Sequence, residues 1–242
     1  MRTAAEDAPD LRAFFDRALG DPGDGGIYYA ARVLADCVSL ATARNAPHAK
    51  QVRSGTEDQL ARSVAALDQA VARCDGLGDD ASKAALAAAL NASVALDDPF
   101  EGMILRERAA RATDGKITFD AASAMVQQAI GLGDPNFFVE SLRRLDGVAN
   151  GFDELELQAH DLNGFRGLLD IVAIEARCAL GVDCAREVAA IRLCYQGECG
   201  PYVERLGIQA NFTDDEKRFI VQAAADVAAA ARDGTLLGRY RR

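Results

Sequence analysis

Six cysteines are the residues of this chain whose number and spacing most directly suggest chemistry. They are Cys37, Cys74, Cys178, Cys184, Cys194 and Cys199, and four of them fall within one window of 22 residues. An even number of clustered cysteines is typical of a disulfide framework made in an oxidising compartment. The alternative is that free thiols are buried as small apolar side chains in a cytosolic protein. We favour disulfides, because Cys184 and Cys199 lie in predicted loops, where free thiols are reactive.

Metal binding and nucleophilic catalysis are both disfavoured for these cysteines. Zinc sites use short hooks with two to four residues between cysteines. Here five residues separate Cys178 from Cys184 and four separate Cys194 from Cys199, with no histidine nearby. The negative charge of Asp183 beside Cys184 also disfavours the thiolate that a catalytic cysteine needs. We therefore predict neither a metal nor another cofactor.

Two acidic segments have patterns associated with divalent cations. The DDxxE pattern of Asp97–Glu101 is the magnesium-binding motif of terpene synthases, but its proline breaks the helix on which the carboxylates would have to align, and a second metal motif is missing. Asp114-Gly115-Lys116 is similar to the centre of an EF-hand loop, yet Ala110, Ala112 and Ala121 occupy positions that require oxygen ligands. Helix capping and a tight turn explain these segments better than metal binding.

The remaining candidates for acid–base chemistry are two histidines and a group of carboxylates. His160 precedes Asp161, which suggests hydrolysis only if a nucleophile lies nearby, and His48 falls in a predicted loop. The carboxylates that could act in pairs, as in glycosidases, are Asp153, Glu154, Glu156 and Asp161. Solvent-exposed or packed histidines and an acidic helix face are the ordinary explanation, so the catalytic residues stay unknown.

Composition narrows the possible partners of this 242-residue chain. Its net charge of −10 repels nucleic-acid phosphates, and the basic cluster at the C-terminus is too short to offset it. No stretch approaches the roughly 20 apolar residues of a membrane span. The first seven residues lack the apolar stretch of a signal peptide, so we expect a chain that has none or has lost it. Of the classes of partner considered, a protein or peptide is the one that remains.

Helical periodicity runs through the sequence. Apolar residues recur at intervals of three and four in Ile27–Ala41, Leu60–Val71, Phe119–Ile130, Phe165–Val172 and Phe219–Ala231. No segment alternates β-branched and polar residues as a strand would. The predicted fold class is therefore all-α: an irregular array or bundle of about ten helices, stapled by disulfides.

The residues between these stretches predict where helices begin and end. Asp21-Pro22, Asp98-Pro99 and Asp134-Pro135 each place a capping carboxylate before a proline, and Thr213 with Glu216 forms a capping box. Helix ends are predicted at Gly76, Gly131, Gly181 and Gly197. The longest predicted loop runs from Arg44 to Gly55.

Two regions resemble known groups of proteins. The spacing of 36 residues from Asp98 to Asp134, about doubled from Asp21 to Asp98, gives residues 10–145 a resemblance to Sel1-like and tetratricopeptide helical repeats. A diverged repeat and an ordinary bundle both remain open. Residues 170–205, with Gly181-Val182-Asp183-Cys184 and Gly197-Glu198-Cys199-Gly200, resemble uncharacterised secreted or envelope helical proteins of proteobacteria. That resemblance implies an extracytoplasmic location.

The predicted helix boundaries also predict the disulfide pairs. Cys178 and Cys184 flank a short loop, and Cys194 and Cys199 flank another, so each pair can reach the Cα separation of ~4.4–6.8 Å that a disulfide needs. Pairing Cys184 with Cys194 would have to span nearly three helical turns, about 15 Å. Cys37 and Cys74 then pair by elimination.

These observations predict one all-α domain over residues 1–242, with a possible division into a repeat-like part (10–148) and a cysteine-containing part (152–242). The predicted function is a non-catalytic binding or scaffold protein of the bacterial periplasm or secreted space, since helical arrays offer long surfaces to partner helices and peptides. The alternatives are a cell-wall or glycan hydrolase that uses carboxylates, an effector or toxin-neutralising protein, and, for location, the cytoplasm.

Overall fold

The described part of the chain is almost entirely helical. The computed structural model describes residues 2–114, 117–146, 148, 165–182, 184, 188–200 and 212–240. Within these residues there are eleven α-helices and no strand, and Ser54 and Glu198 form one isolated parallel bridge. The helices are α1 Arg2–Asp7, α2 Leu11–Leu19, α3 Gly26–Arg44, α4 Glu57–Arg73, α5 Asp80–Asn91, α6 Glu101–Asp114, α7 Phe119–Leu132, α8 Pro135–Asp146, α9 Phe165–Ala179, α10 Val188–Tyr195 and α11 Asp214–Asp233. The predicted all-α class is confirmed.

The chain forms two compact units. Unit 1 contains Met1–Ala109 together with Arg186–Cys199, and unit 2 contains Ala110–Ala185 together with Gly200–Arg242. Helix α10 therefore packs with helices from the first half of the chain, whereas the predicted division into residues 10–148 and 152–242 places it with the second half. That the chain folds as a single domain stays a prediction.

Unit 1 is built around α3, which packs against α2, α4 and α5, while α10 packs against α3 and α4. Its fully buried side chains include Phe14 and Phe15 of α2, Ile27 of α3 and Leu67 of α4. In unit 2, α8 packs against α7 and α9, and α9 packs against α11. Phenylalanine side chains and many alanines fill both cores.

A single buried carboxylate caps two helices of unit 1. Oδ1 of Asp98 accepts hydrogen bonds from the backbone N–H groups of Phe100 and Glu101 at the start of α6, both at 2.9 Å. Oδ2 accepts from the N–H groups of Ile27 and Tyr28 in the first turn of α3, at 2.8 and 3.1 Å. Asp98 has no exposed surface. The predicted cap is therefore present, and it joins two helices rather than one.

Some of the other predicted caps and helix ends are confirmed, and others are wrong. Asp134 caps α8 as predicted, because its carboxylate accepts hydrogen bonds from the N–H groups of Asn136 and Phe137. Asp21, in contrast, makes no side-chain capping bond; it precedes a 3-10 turn over Pro22–Asp24. Gly131 lies inside α7, which continues to Leu132 and ends at Gly133 with φ +63°. The helix ends at Gly133 because only this second glycine adopts the left-handed conformation.

The capping box of α11 gives a direct test of the local structure. Thr213 accepts a hydrogen bond from the N–H of Glu216, whose carboxylate accepts in return from the N–H of Thr213. Replacing Thr213 by alanine should lower the free energy of unfolding by about 1 kcal/mol. The same change at Thr42, whose hydroxyl only donates to the carbonyl of Val38 within α3, should have little effect. Urea titrations of the two variants measure the difference, and equal losses would contradict the capping role.

The six cysteines form three disulfides. The pairs are Cys37–Cys74, Cys178–Cys184 and Cys194–Cys199, and they are the pairs predicted from helix spacing. Their Cα–Cα distances are 5.5, 5.6 and 4.1 Å, so the last pair lies slightly closer than the expected range. Cys37–Cys74 joins α3 to the end of α4, whereas the other two close short turns.

Candidate protein-binding surface

The later part of helix α5, residues 84–91, and the 3-10 turn after it, Ser93–Leu96, carry no charged side chain, whereas the first turn of the helix carries the exposed ion pair of Asp80 and Lys83. No charged residue occurs from Ala84 to Leu96, in a chain whose net charge is −10. We call six of the exposed apolar side chains of this stretch the α5 surface: Ala84, Ala85, Ala87, Ala88, Val94 and Leu96. Apolar surface that is exposed to solvent and contiguous is typical of interaction sites.

The packing of α5 explains why this surface is open. Helix α5 contacts α3 and the following 3-10 turn, and Ser82 is the one buried residue that it contributes. Leu86 and Leu90, on the side of α5 opposite the exposed alanines, are only partly buried. Val94 and Leu96 are 37% and 49% exposed. Within unit 1, the apolar residues of this segment are therefore incompletely covered.

Three features hold α5 in place. The Cys37–Cys74 disulfide ties the residue that follows α4 to α3, so the turn that leads into α5 starts from a fixed point. Within that turn Gly78 has φ +100°, a conformation that other residues rarely adopt, and lies against Val38 of α3. Arg12 of α2 donates to the carbonyl of Gly76 at 2.9 Å and to Oγ of Ser82 at 3.2 Å.

The amino-terminal end of α5 is acidic. Asp79 caps the helix by accepting from the N–H and the hydroxyl of Ser82, at 2.7 and 2.6 Å. These two hydrogen bonds lower the pKa of Asp79, and the positive charge of Arg12 contributes in the same direction. The hydrogen bond and the charge of Asp16 raise the pKa of Arg12. Asp79 and Arg12 therefore keep their charges at neutral and mildly acidic pH, so the contacts that fix this end of α5 persist there.

A second group of polar residues lies where the loop between α3 and α4 meets the turn after α10. The N–H groups of Arg53 and Ser54 donate to the carbonyl of Gly197, and the N–H of Cys199 donates to the carbonyl of Ser54. The Cys194–Cys199 disulfide closes this turn and packs against Leu60 of α4. The loop predicted from Arg44 to Gly55 is present one residue later at each end, from Asn45 to Thr56, and these backbone bonds hold it against the turn.

This junction contains an ion pair and a histidine, but its geometry favours a structural role. Nη2 of Arg53 lies 2.7 Å from Oε1 of Glu198, whose side chain is 1% exposed. The contact is an ion pair only, because neither carboxylate oxygen of Glu198 accepts a hydrogen bond within the described residues. The rings of His48 and Tyr195 are 5.7 Å apart, and His48 is exposed. Because Glu198 is buried and lies beside Arg53, its carboxylate helps to hold the loop against the turn.

The acidic segments singled out from the sequence do not form a common site in the described structure. In the DDxxE segment, Asp97 is exposed, Asp98 is engaged by four backbone N–H groups, and Glu101 is buried with its Oε1 3.9 Å from Nη1 of Arg108. Asp114 ends α6. The next two residues of the EF-hand-like turn lie outside the described residues, as do the candidate acids and His160: Asp153, Glu154, Glu156, His160 and Asp161.

The α5 surface was visible in the sequence only as an uncharged, alanine-rich stretch. Alanine is the strongest helix former, so such a stretch predicts a helix whether it is buried or exposed. Which side of α5 is exposed depends on which side packs against α3, a helix far away in the chain. The run without charge from residue 84 to residue 96 was the one available signal.

The described residues contain no group of three or more histidine, cysteine, aspartate or glutamate side chains placed to hold a metal ion. None of the helices in those residues combines the length and apolar character needed to cross a bilayer. No protein-family model matches the chain, and no curated protein and no solved structure is significantly similar to it.

Proposed function

We propose that this protein is a non-catalytic binding protein of the bacterial periplasm or secreted space, and that the α5 surface contacts its protein partner. The observation that carries the proposal is the run of exposed, uncharged residues between positions 84 and 96 in an otherwise acidic chain. Binding there would remove apolar surface from water, which is the main favourable term in protein association.

The rigidity of α5 supports this role. A surface that is held in one conformation before binding loses less conformational entropy when a partner docks. The Cys37–Cys74 disulfide and the contacts of Arg12 and Asp79 hold the start of α5. The exposed alanines would let the backbone of a partner helix approach closely, since interaxial distances depend on the side chains at the contact.

The proposed location rests on the disulfides. Proteins of the reducing cytosol rarely keep structural disulfides, whereas periplasmic and secreted proteins commonly do. All six cysteines are paired here.

The binding role is tested by introducing a charge into the α5 surface. Ala87 is exposed near the middle of α5, and replacing it by glutamate would bury a carboxylate in the interface. We expect the Ala87→Glu variant to bind at least about tenfold more weakly, a loss of ~1.4 kcal/mol. The measurement is quantitative capture by the purified protein from envelope extracts of the source cells, comparing the variant with the wild type.

The matched control is Ala65→Glu, which places the same charge on an exposed position near the middle of α4. Both variants should keep the helical circular dichroism of the parent. A partner captured by the wild type and by Ala65→Glu, but lost with Ala87→Glu, supports the proposal. Equal capture by all three proteins, or no specific capture at all, would overturn it.

The proposed location is tested by the state of the cysteines in the source cells. Protein trapped with a thiol-alkylating reagent at the moment of lysis should carry no label until it is reduced, and six labels after reduction and denaturation. Mass spectrometry of the intact protein counts the labels. Six labels before reduction would exclude an oxidising compartment, because structural disulfides there are not reduced.

A further inference from the structure

We draw no further inference here: the strongest candidate, the uncharged face of helix α5 with the aspartates at its amino-terminal end, belongs to the surface already described, and nothing in the structure shows what covers it.

Discussion

The Asp98→Ala variant should lose at least about 4 kcal/mol of its free energy of unfolding. The change leaves four backbone N–H groups at the starts of α3 and α6 without their acceptor, in a place that water does not reach. Each buried donor left unsatisfied costs ~1–3 kcal/mol. Since a domain is stable by only ~5–15 kcal/mol, unit 1 should be largely destabilised, as a urea titration followed by circular dichroism would show.

Two further variants separate the hydrogen bonds from the local sequence. Asp98→Asn keeps one acceptor oxygen but turns an NH₂ group toward the remaining donors, so its loss should be intermediate. Asp97→Ala, at the exposed neighbouring position, should change stability by less than about 0.5 kcal/mol. If Asp98→Ala lost no more than Asp97→Ala, the double-capping role of Asp98 would be wrong.

Removing the Cys37–Cys74 disulfide should have the second largest effect. The Cys37→Ala/Cys74→Ala variant opens a loop whose ends are 37 residues apart, and the chain-entropy relation predicts a loss of about 4 kcal/mol. The Cys194→Ala/Cys199→Ala variant opens a loop with a separation of only 5 and should lose about 2 kcal/mol. Alanine is used because both members of each pair are buried.

The two cysteine variants should also differ in where they loosen the structure. Because Cys74 precedes the turn into α5, the loss of Cys37–Cys74 should speed amide hydrogen exchange in α5. The loss of Cys194–Cys199 should instead speed exchange in the loop before α4, which bonds to the turn that this disulfide closes. A larger stability loss for the short-range pair would contradict the entropic account.

Local signals explain how much of this fold could be predicted from the sequence. Helical periodicity, capping residues and short loops depend on residues close together in the chain, and they predicted the class, the capping box at Thr213 and the two local disulfide pairs, which left Cys37 and Cys74 to pair by elimination. Asp21 shows the limit of the same reasoning: the Asp-Pro pattern is present, yet a 3-10 turn follows and the side chain does not cap it.

Long-range contacts explain what the sequence could not predict. Asp98 was expected to cap α6 alone, but its second oxygen reaches the start of α3, about 70 residues away in the chain. That approach requires Gly25, the residue before α3, where a side chain would collide with the ring of Phe100. Nothing in the sequence around Asp98 points to Gly25, so the joint between the two helices became evident only in the structure.

The exposure of α5 was hidden from sequence reasoning for the same reason. An alanine-rich helix has no marked polar face, so its pattern does not show which side packs and which side is solvated. Val94 and Leu96 are exposed because no distant segment of the described chain packs over them, and the sequence near them does not show this.

Site-specific cross-linking tests the proposed binding surface most directly. A photoreactive amino acid is introduced at Ala87 on α5 or, as the control, at Ala65 on α4, and the cells that normally make the protein are irradiated. We predict one discrete cross-linked protein from position 87, sensitive to a nearby Ala84→Glu change, and none from position 65. Cross-links of equal yield from both positions, or none from position 87, would contradict the assignment of the α5 surface as a binding site.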